Sequence, residues 1–402
     1  MRPVLVLLHR WFGLAAAAFL FIAGVTGAVI SWDHELDAWL NPQLYEARTA
    51  GPAQPALALA RQVEAADPRV RVRYLPLQAE PGHTLVMFVD PRIDPSTGQP
   101  FVVDYNQVAL DPVTGEIQGR RLWGAVSLSR ENLLPFLYKL HYSMHLPAAG
   151  GIELGVWLMG LIAIAWVLDC AIALWISFPN RASWRRSFQF RWRDGGHKLT
   201  FDLHRSGGVW LWALVGMLAV TSVAMNLNRE VMRPVVGWFS QLSPSPFESR
   251  TPGTPVEAGI GFARAIELGA AEGRRRGWAV PVGGVFHSAE YQLYGVGFFA
   301  PGNDHGDGGL GNAWLYFDAR SGAAAGAQVP GEGTAGDIFL QAMFPLHSGR
   351  ILGTPGRALM SVMGVAIAAL SVTGVLIWAR KRRARSLPQG SAAKPRMQGA
   401  VA

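Results

Sequence analysis

Cys170 is the only thiol in this chain, so an intrachain disulfide framework is excluded and the redox compartment cannot be read from cysteine usage. Charge is scarce too, at 16% of residues against 50% hydrophobic. It vanishes between Arg10 and Asp33, between Arg205 and Arg229, and between Arg357 and Arg380. A fourth apolar run, from Glu153 to about Phe178, is interrupted only by Asp169 and stopped by Pro179. A helix needs ~20 apolar residues to cross a bilayer, so the missing charge predicts four transmembrane helices. Recognition patterns are missing as well. No HExxH or related pattern is present, and no Cys, Asp or Glu stands beside the histidines at metal-ligand spacing, which argues against zinc chemistry. No GxGxxG opens a helix after a strand and no flavin motif is visible, which argues against a dinucleotide- or flavin-binding unit in this chain.

What charge there is runs basic, with a formal net charge of +8 and a pI near 10.0. The Lys and Arg residues are not spread evenly. Arg181, Arg185, Arg186, Arg191, Arg193, Lys198 and Arg205 crowd the middle loop, the tail after Ala379 opens RKRRAR, and Arg2 and Arg10 precede the first run. By the positive-inside rule both termini and the middle loop are expected in the cytoplasm. The basic excess then needs no nucleic-acid partner. The first run is longer than the ~7–15 apolar residues of a cleaved signal peptide, despite the small residues of VTGA.

The expected architecture is an α-helical membrane bundle with two α+β outer domains. Transmembrane helix 1 covers residues 10–32 and a first outer domain 33–135; an entry segment with helix 2 covers 136–178 and a basic cytoplasmic loop 179–203. Helix 3 covers 204–228, a second outer domain 229–340, an entry with helix 4 341–379, and a basic cytoplasmic tail 380–402. In the first outer domain the helical stretch PALALARQVEAADP precedes the strand-like runs RVRYLPL, HTLVMFVD and FVVDYNQVALD and the turn DPVTGE. In the second, PVEAGIGFARAIELGAAEG precedes YQLYGVGFF and AWLYFDARSGAAAG. Asp with Ser or Thr favours such turns by bonding local backbone, and Gly supplies positive φ. The halves also match within the membrane: Leu8-His9-Arg10 with Leu203-His204-Arg205, Val25-Thr26 with Val220-Thr221, and the MGL at Met159 with the MGV at Met363. The chain reads as a tandem duplication whose two copies have the same orientation.

Histidines are placed at both faces of this bundle. His9 and His204 sit at the cytoplasmic ends of helices 1 and 3, and His141, His145 and His347 at the outer ends of helices 2 and 4. An ionisable residue in a membrane segment marks a functional site by default. A proton relay would want carboxylates at intermediate depths, and Asp169 stands alone. Two histidines on facing helices at matched depth instead provide axial imidazoles for haem iron. For any one residue a headgroup anchor competes with ligation; the fourfold arrangement favours ligation. His141 and His145 are one turn apart, and either can serve. His34, at the outer end of helix 1, could touch the outer haem or its substrate. His83, His197, His287 and His305 read as surface or loop residues, and GNDHGDGGLGN as a hairpin lacking regular calcium-ligand spacing.

The stretches LHRWFGL, GVTGAVISWDHELDAWLNP, DPVTGE, FLYKLHYSMHLP, FPLHSGRILGTPGR and SVTGVLIW resemble the PepSY-associated transmembrane family, also called iron-regulated or iron-uptake membrane proteins. The resemblance runs to about Arg385. It implies a bacterial inner-membrane protein with PepSY-like periplasmic domains and, in some members, a ferric-siderophore reductase carrying two b-type haems. It implies further that His9 and His204 bind a cytoplasmic haem, and His347 with His141 or His145 a periplasmic one. The expected partners are a ferric siderophore or other ferric chelate, a cytoplasmic reductase or quinol as donor, and the lipid bilayer. Arg69, Arg71, Arg73, Arg274, Arg275 and Arg276 are candidates to attract an anionic chelate. The family alternative is a haem-free membrane protein whose PepSY domains bind a peptide or partner protein.

Overall fold

The first apolar run folds as α1 (Arg2–Ile30) in the computed structural model, which describes residues 1–253, 255 and 257–386. The end of the expected tail, 387–402, lies outside the described residues. Two short helices, α2 (Asp33–Leu40) and α3 (Pro42–Tyr45), lead away from α1. Then come α4 (Ala56–Ala66) and four strands, β1 (Val70–Pro76), β2 (Leu85–Pro91), β3 (Gln107–Leu110) and β4 (Ile117–Arg121). α5 (Leu133–Ser143) is followed by a tiny hairpin, β5 (Ala148–Ala149) with β6 (Ile152–Glu153), and by the second long apolar helix, α6 (Leu154–Ser177). The third is α7 (Gly196–Asn226), succeeded by a π-helical turn at Asn228–Met232 and by α8 (Arg233–Gly237). The second half repeats the order: α9 (Phe262–Arg275), strands β7 (Val282–Ser288), β8 (Leu293–Phe298), β9 (Ala313–Asp318) and β10 (Ala324–Gln328), then α10 (Ala335–Ser348) and the fourth long helix, α11 (Thr354–Ser386).

Among the described residues α1, α6, α7 and α11 are long and apolar enough to cross a membrane. The strands of the large sheet lie in the connections from α1 to α6 and from α7 to α11, so the bundle has a sheet side and an opposite, loop side. Small residues let the helices close up. A side-chain carbon on Gly24 of α1 would stand 2.5 Å from the Gly364 carbonyl of α11, and one on Gly364 would stand 2.4 Å from the Gly24 carbonyl. With Ala28 and Ala368 one turn on, this is the small-xxx-small spacing that brings membrane helices into backbone contact. Met363, Ala219, Leu218 and Cys170 fill the adjoining core of α6, α7 and α11.

Beyond the membrane helices the structure differs from the expected pair of separate domains. The strands form one antiparallel eight-stranded sheet in the order β10-β9-β8-β7-β1-β2-β3-β4. Its seam is β1 on β7, with Tyr74 opposite Phe286, Leu75 opposite Val285 and Pro76 opposite Gly284. Each four-stranded half presents its first strand as an edge of unpaired N–H and C=O groups, and joining the two edges satisfies both. Alternation sets the faces: Leu85, Met87 and Val89 of β2 are buried while Val86 and Phe88 between them are half-buried. The buried face meets Leu59 and Val63 of α4 and Ala265 of α9, so one core serves both halves. β7 escaped the sequence reading because Gly283-Gly284 looks like a turn. Those glycines make room for Phe299, whose ring would lie 2.4 and 2.8 Å from carbons added there.

Two helix boundaries also differ. α7 begins at Gly196, so His204 stands two turns inside it rather than at its mouth, as His9 does in α1. The entry segments are not continuous with the spans: α5 ends at Met144 and His145, both left-handed at φ 52° and 54°, and α10 ends at Gly349 with φ 76°.

Candidate functional site

The structure brings four histidines together in twos. His9 of α1 and His204 of α7 lie with ring centroids 6.1 Å apart on the loop side, and His141 of α5 and His347 of α10 lie 6.1 Å apart on the sheet side. Each pair takes one residue from each half.

All four rings are held through Nδ1. His141 Nδ1 stands 2.9 Å from the Ala23 carbonyl and 3.1 Å from Thr26 Oγ1. A carbonyl only accepts, so Nδ1 carries the proton; the Thr26 hydroxyl spends its own on Ile22 O at 2.7 Å and also accepts. His347 Nδ1 donates to Thr221 Oγ1 at 3.0 Å, and Thr221 donates to Met217 O at 2.9 Å. His204 Nδ1 donates to the Leu370 carbonyl at 3.0 Å with Thr373 Oγ1 at 3.2 Å, and Thr373 donates to Ala369 O. His9 Nδ1 donates to Asp169, 2.9 Å from both carboxylate oxygens. In the neutral imidazole this leaves each Nε2 as a lone pair, the form in which imidazole binds a metal. In each half the first span anchors the histidine of the entry helix, and the second span anchors the histidine of the first.

Glycine shapes two of the four seats. A carbon added to Gly27 would lie 2.9 Å from His141 Cε1, and one added to Gly374 would lie 3.0 Å from His204 Cε1. One imidazole of each pair thus rests directly on the backbone of a neighbouring helix.

His145 is drawn away from both pairs. Its left-handed backbone turns the ring back onto Phe136, 4.5 Å centroid to centroid, with Nε2 2.8 Å from the Phe136 carbonyl. His34 lies elsewhere again, edge-on to Tyr45 and 3.7 Å from Glu80. His83 bonds the Pro81 carbonyl, and His197 is exposed in the first turn of α7. His287 is buried in the sheet against Tyr294, where burial pushes its imidazole down to about 4. The arginines expected to attract an anion largely have partners already: Arg69 with Asp67, Arg71 with Glu257, Arg73 with Asp90, Arg275 and Arg276 with Glu272.

Sequence reasoning missed the Gly-rich stretch at 302–312 as part of this site. It is strapped to the turn just after His347: Gly308 and Gly309 donate to the Arg350 and Ile351 carbonyls at 2.8 and 3.1 Å, and Asp307 pairs with Arg350. Arg350 also lies 3.7 Å from Asp33, while Arg357, 5% exposed, reaches Glu35 at 2.6 Å and the Ser31 carbonyl at 2.8 Å under Trp32. In the strap the Asp304 hydrogen bond raises the His305 imidazole above its ordinary value. Burial is the largest influence on the Asp304 carboxyl and works to raise it, but the hydrogen bonds from His305 together with the charges of His305 and His34 bring it below its ordinary value. The available signal was five glycines and two carboxylates within eleven residues.

Among the described residues no three His, Cys, Asp or Glu side chains gather into a metal-binding group. The pairs therefore supply two nitrogen ligands each and no more. No curated protein matches the chain. The model of the PepSY-associated TM region matches residues 6–381, nearly its whole length, and the chain belongs to that family.

Proposed function

We propose that this protein is a di-haem electron carrier of the bacterial inner membrane, taking electrons on the cytoplasmic loop side and reducing ferric chelates, ferric siderophores in particular, on the periplasmic sheet side. One observation carries the reading: four imidazoles, each with Nδ1 tied down as a donor and Nε2 left as a lone pair, stand in two pairs at opposite ends of the bundle.

The pairs fit a b-type haem. Metal–imidazole bonds of about 2 Å, plus roughly 1 Å from each nitrogen to its ring centre, would put two imidazoles sharing one metal ion roughly 6 Å apart. Both pairs stand at 6.1 Å. Two protein ligands suit a metal that brings its remaining ligands with it, as porphyrin iron does. His9 with His204 would hold one haem, and His141 with His347 the other. A haem held by these histidines would supply one-electron chemistry.

The residues of the chain do the rest. Along α1 the level of His9 is 14 to 17 residues from Ala23 and Thr26 (23 − 9 and 26 − 9), roughly 21–26 Å at ~1.5 Å per residue. The hydrocarbon core is ~30 Å thick, so two sites at these levels divide the crossing into shorter jumps. The neutral anchors on Thr26, Thr221 and Thr373 fix ring orientation without adding charge. On the sheet side, the strap at 302–312 and the joined sheet, read as two PepSY-like units from a duplicated chain, make the surface that receives the chelate. Ferrous iron binds hard oxygen chelators more weakly than ferric iron, so reduction releases the metal. The donor is a separate cytoplasmic reductase or a quinol.

The test is spectroscopic. Detergent-purified protein should be red, with two haems per chain and a dithionite-induced Soret shift. His204→Ala and His347→Ala should each remove one of the two. A colourless protein, or two alanine variants with unchanged spectra, would overturn the proposal and favour the haem-free binding protein.

A further inference from the structure

The four anchors are chemically unequal. His141, His204 and His347 donate to carbonyl or hydroxyl oxygens, whereas His9 donates to a carboxylate. Asp169 is 9% exposed, and among the described residues its ion-pair partner is His9 and no Lys or Arg. A buried carboxylate inside a membrane span is costly, and a hydroxyl could hold His9 just as well. The other half does so: counted from Met159-Gly160 and Met363-Gly364, Asp169 and Thr373 occupy the same step (169 − 159 = 10; 373 − 363 = 10). Both anchor the histidine of the preceding span. The carboxylate is thus an exception at a position where a neutral group also works.

We propose that Asp169 is a positioning residue that sets the reduction potential of the loop-side centre below that of the sheet-side centre, giving electron flow a direction from loop side to sheet side. The proposal rests on the di-haem reading. A carboxylate drawing on the Nδ1 proton makes Nε2 a stronger donor, and a full negative charge nearby favours the more positive, ferric state. Both effects lower the potential, and second-shell hydrogen bonding is among the levers by which a protein tunes haem iron. A neutral hydroxyl on His347 exerts neither. The transfer moves one electron: the loop-side centre is oxidised by one, the sheet-side centre is reduced by one, and no proton leaves the chain. The reductant is the cytoplasmic donor and the final oxidant the ferric chelate.

Spectroelectrochemical titration of the full-length, haem-loaded protein tests this. Wild type should give two separable one-electron couples. In Asp169→Asn the lower couple should rise by roughly tenfold in its equilibrium constant, about 59 mV for a one-electron couple, while the upper couple stays put; Asp169→Glu should restore most of the gap. Thr373→Asp, which leaves Asp169 intact and places a second carboxylate against His204, should push the same lower couple further down, and gives an answer even if the asparagine variant does not fold. Two bound haems whose lower couple is unmoved by either substitution, or a shift in the upper couple instead, would overturn the inference alone. A wild-type protein with no haem would overturn the di-haem reading and this inference with it.

Discussion

On the loop side, His9 and His204 project from the interiors of two long spans, α1 and α7. On the sheet side, His141 and His347 sit in the last turns of short helices, α5 and α10, that stop at left-handed residues. The ring separation is the same in both. What differs is the source of the geometry. Packing among the long helices places the loop-side rings, whereas the sheet-side rings, though anchored on α1 and α7, also depend on the turns that end α5 and α10 and on the strap docked after His347. One arrangement of imidazoles has been built from two kinds of scaffold, and substitutions can take the two apart.

On the di-haem proposal, the largest effect is expected where a seat is filled. Gly27→Leu should expel the His141 ring and empty the sheet-side site, halving the haem per chain while the loop-side couple survives; Gly374→Leu should do the reverse. Haem-to-protein ratio with redox titration reads both. Next, His141→Ala should cost the sheet-side haem, whereas His145→Ala should keep both haems and lose only about 1 kcal/mol of stability from its bond to Phe136, visible as a lowered Tm. Thr221→Val removes one neutral hydrogen bond, worth ~0.5–1.5 kcal/mol, and should weaken haem binding at the sheet side by several-fold in competition with apomyoglobin, leaving the loop side unchanged.

The smallest effect is a pH dependence confined to the sheet side. His305 is raised, so its share of strap docking is complete below the ordinary imidazole value of ~6.5 and is lost as pH climbs through the raised one. Asp304 is lowered, so its share is present above the ordinary carboxylate value of ~3.9 and is lost as pH falls through the lowered one. Hydrogen exchange at Gly308 and Gly309 should therefore be slowest between these limits and speed up on either flank.

The spans were legible because an uncharged run is a one-dimensional signal, and four such runs became four apolar helices. The histidines stood out for the same reason, as polar residues where polarity is rare. Their partners did not. Asp169 could be singled out as the lone carboxylate in a span, yet His9 lies 160 residues away. His141 and His145 are equivalent by helical spacing, and only the left-handed backbone at Met144 and His145 separates them. The β1–β7 seam was invisible because two edge strands from distant halves look like any other edges, and pairing them is a long-range event. The strap was legible as a glycine-rich hairpin, but its docking depends on Arg350, which sequence gave no reason to link to it.

The seam between β1 and β7 also dictates an order of birth. In order of synthesis the first four strands precede β7, and some two hundred residues separate Tyr74 from the Phe286 that covers its strand. During that interval the nascent chain exposes a strand edge ready to pair with a neighbour. Arg71, whose partner Glu257 also belongs to the second half, leaves positive charge on that strand until then, the kind of charge that guards an edge against pairing between copies.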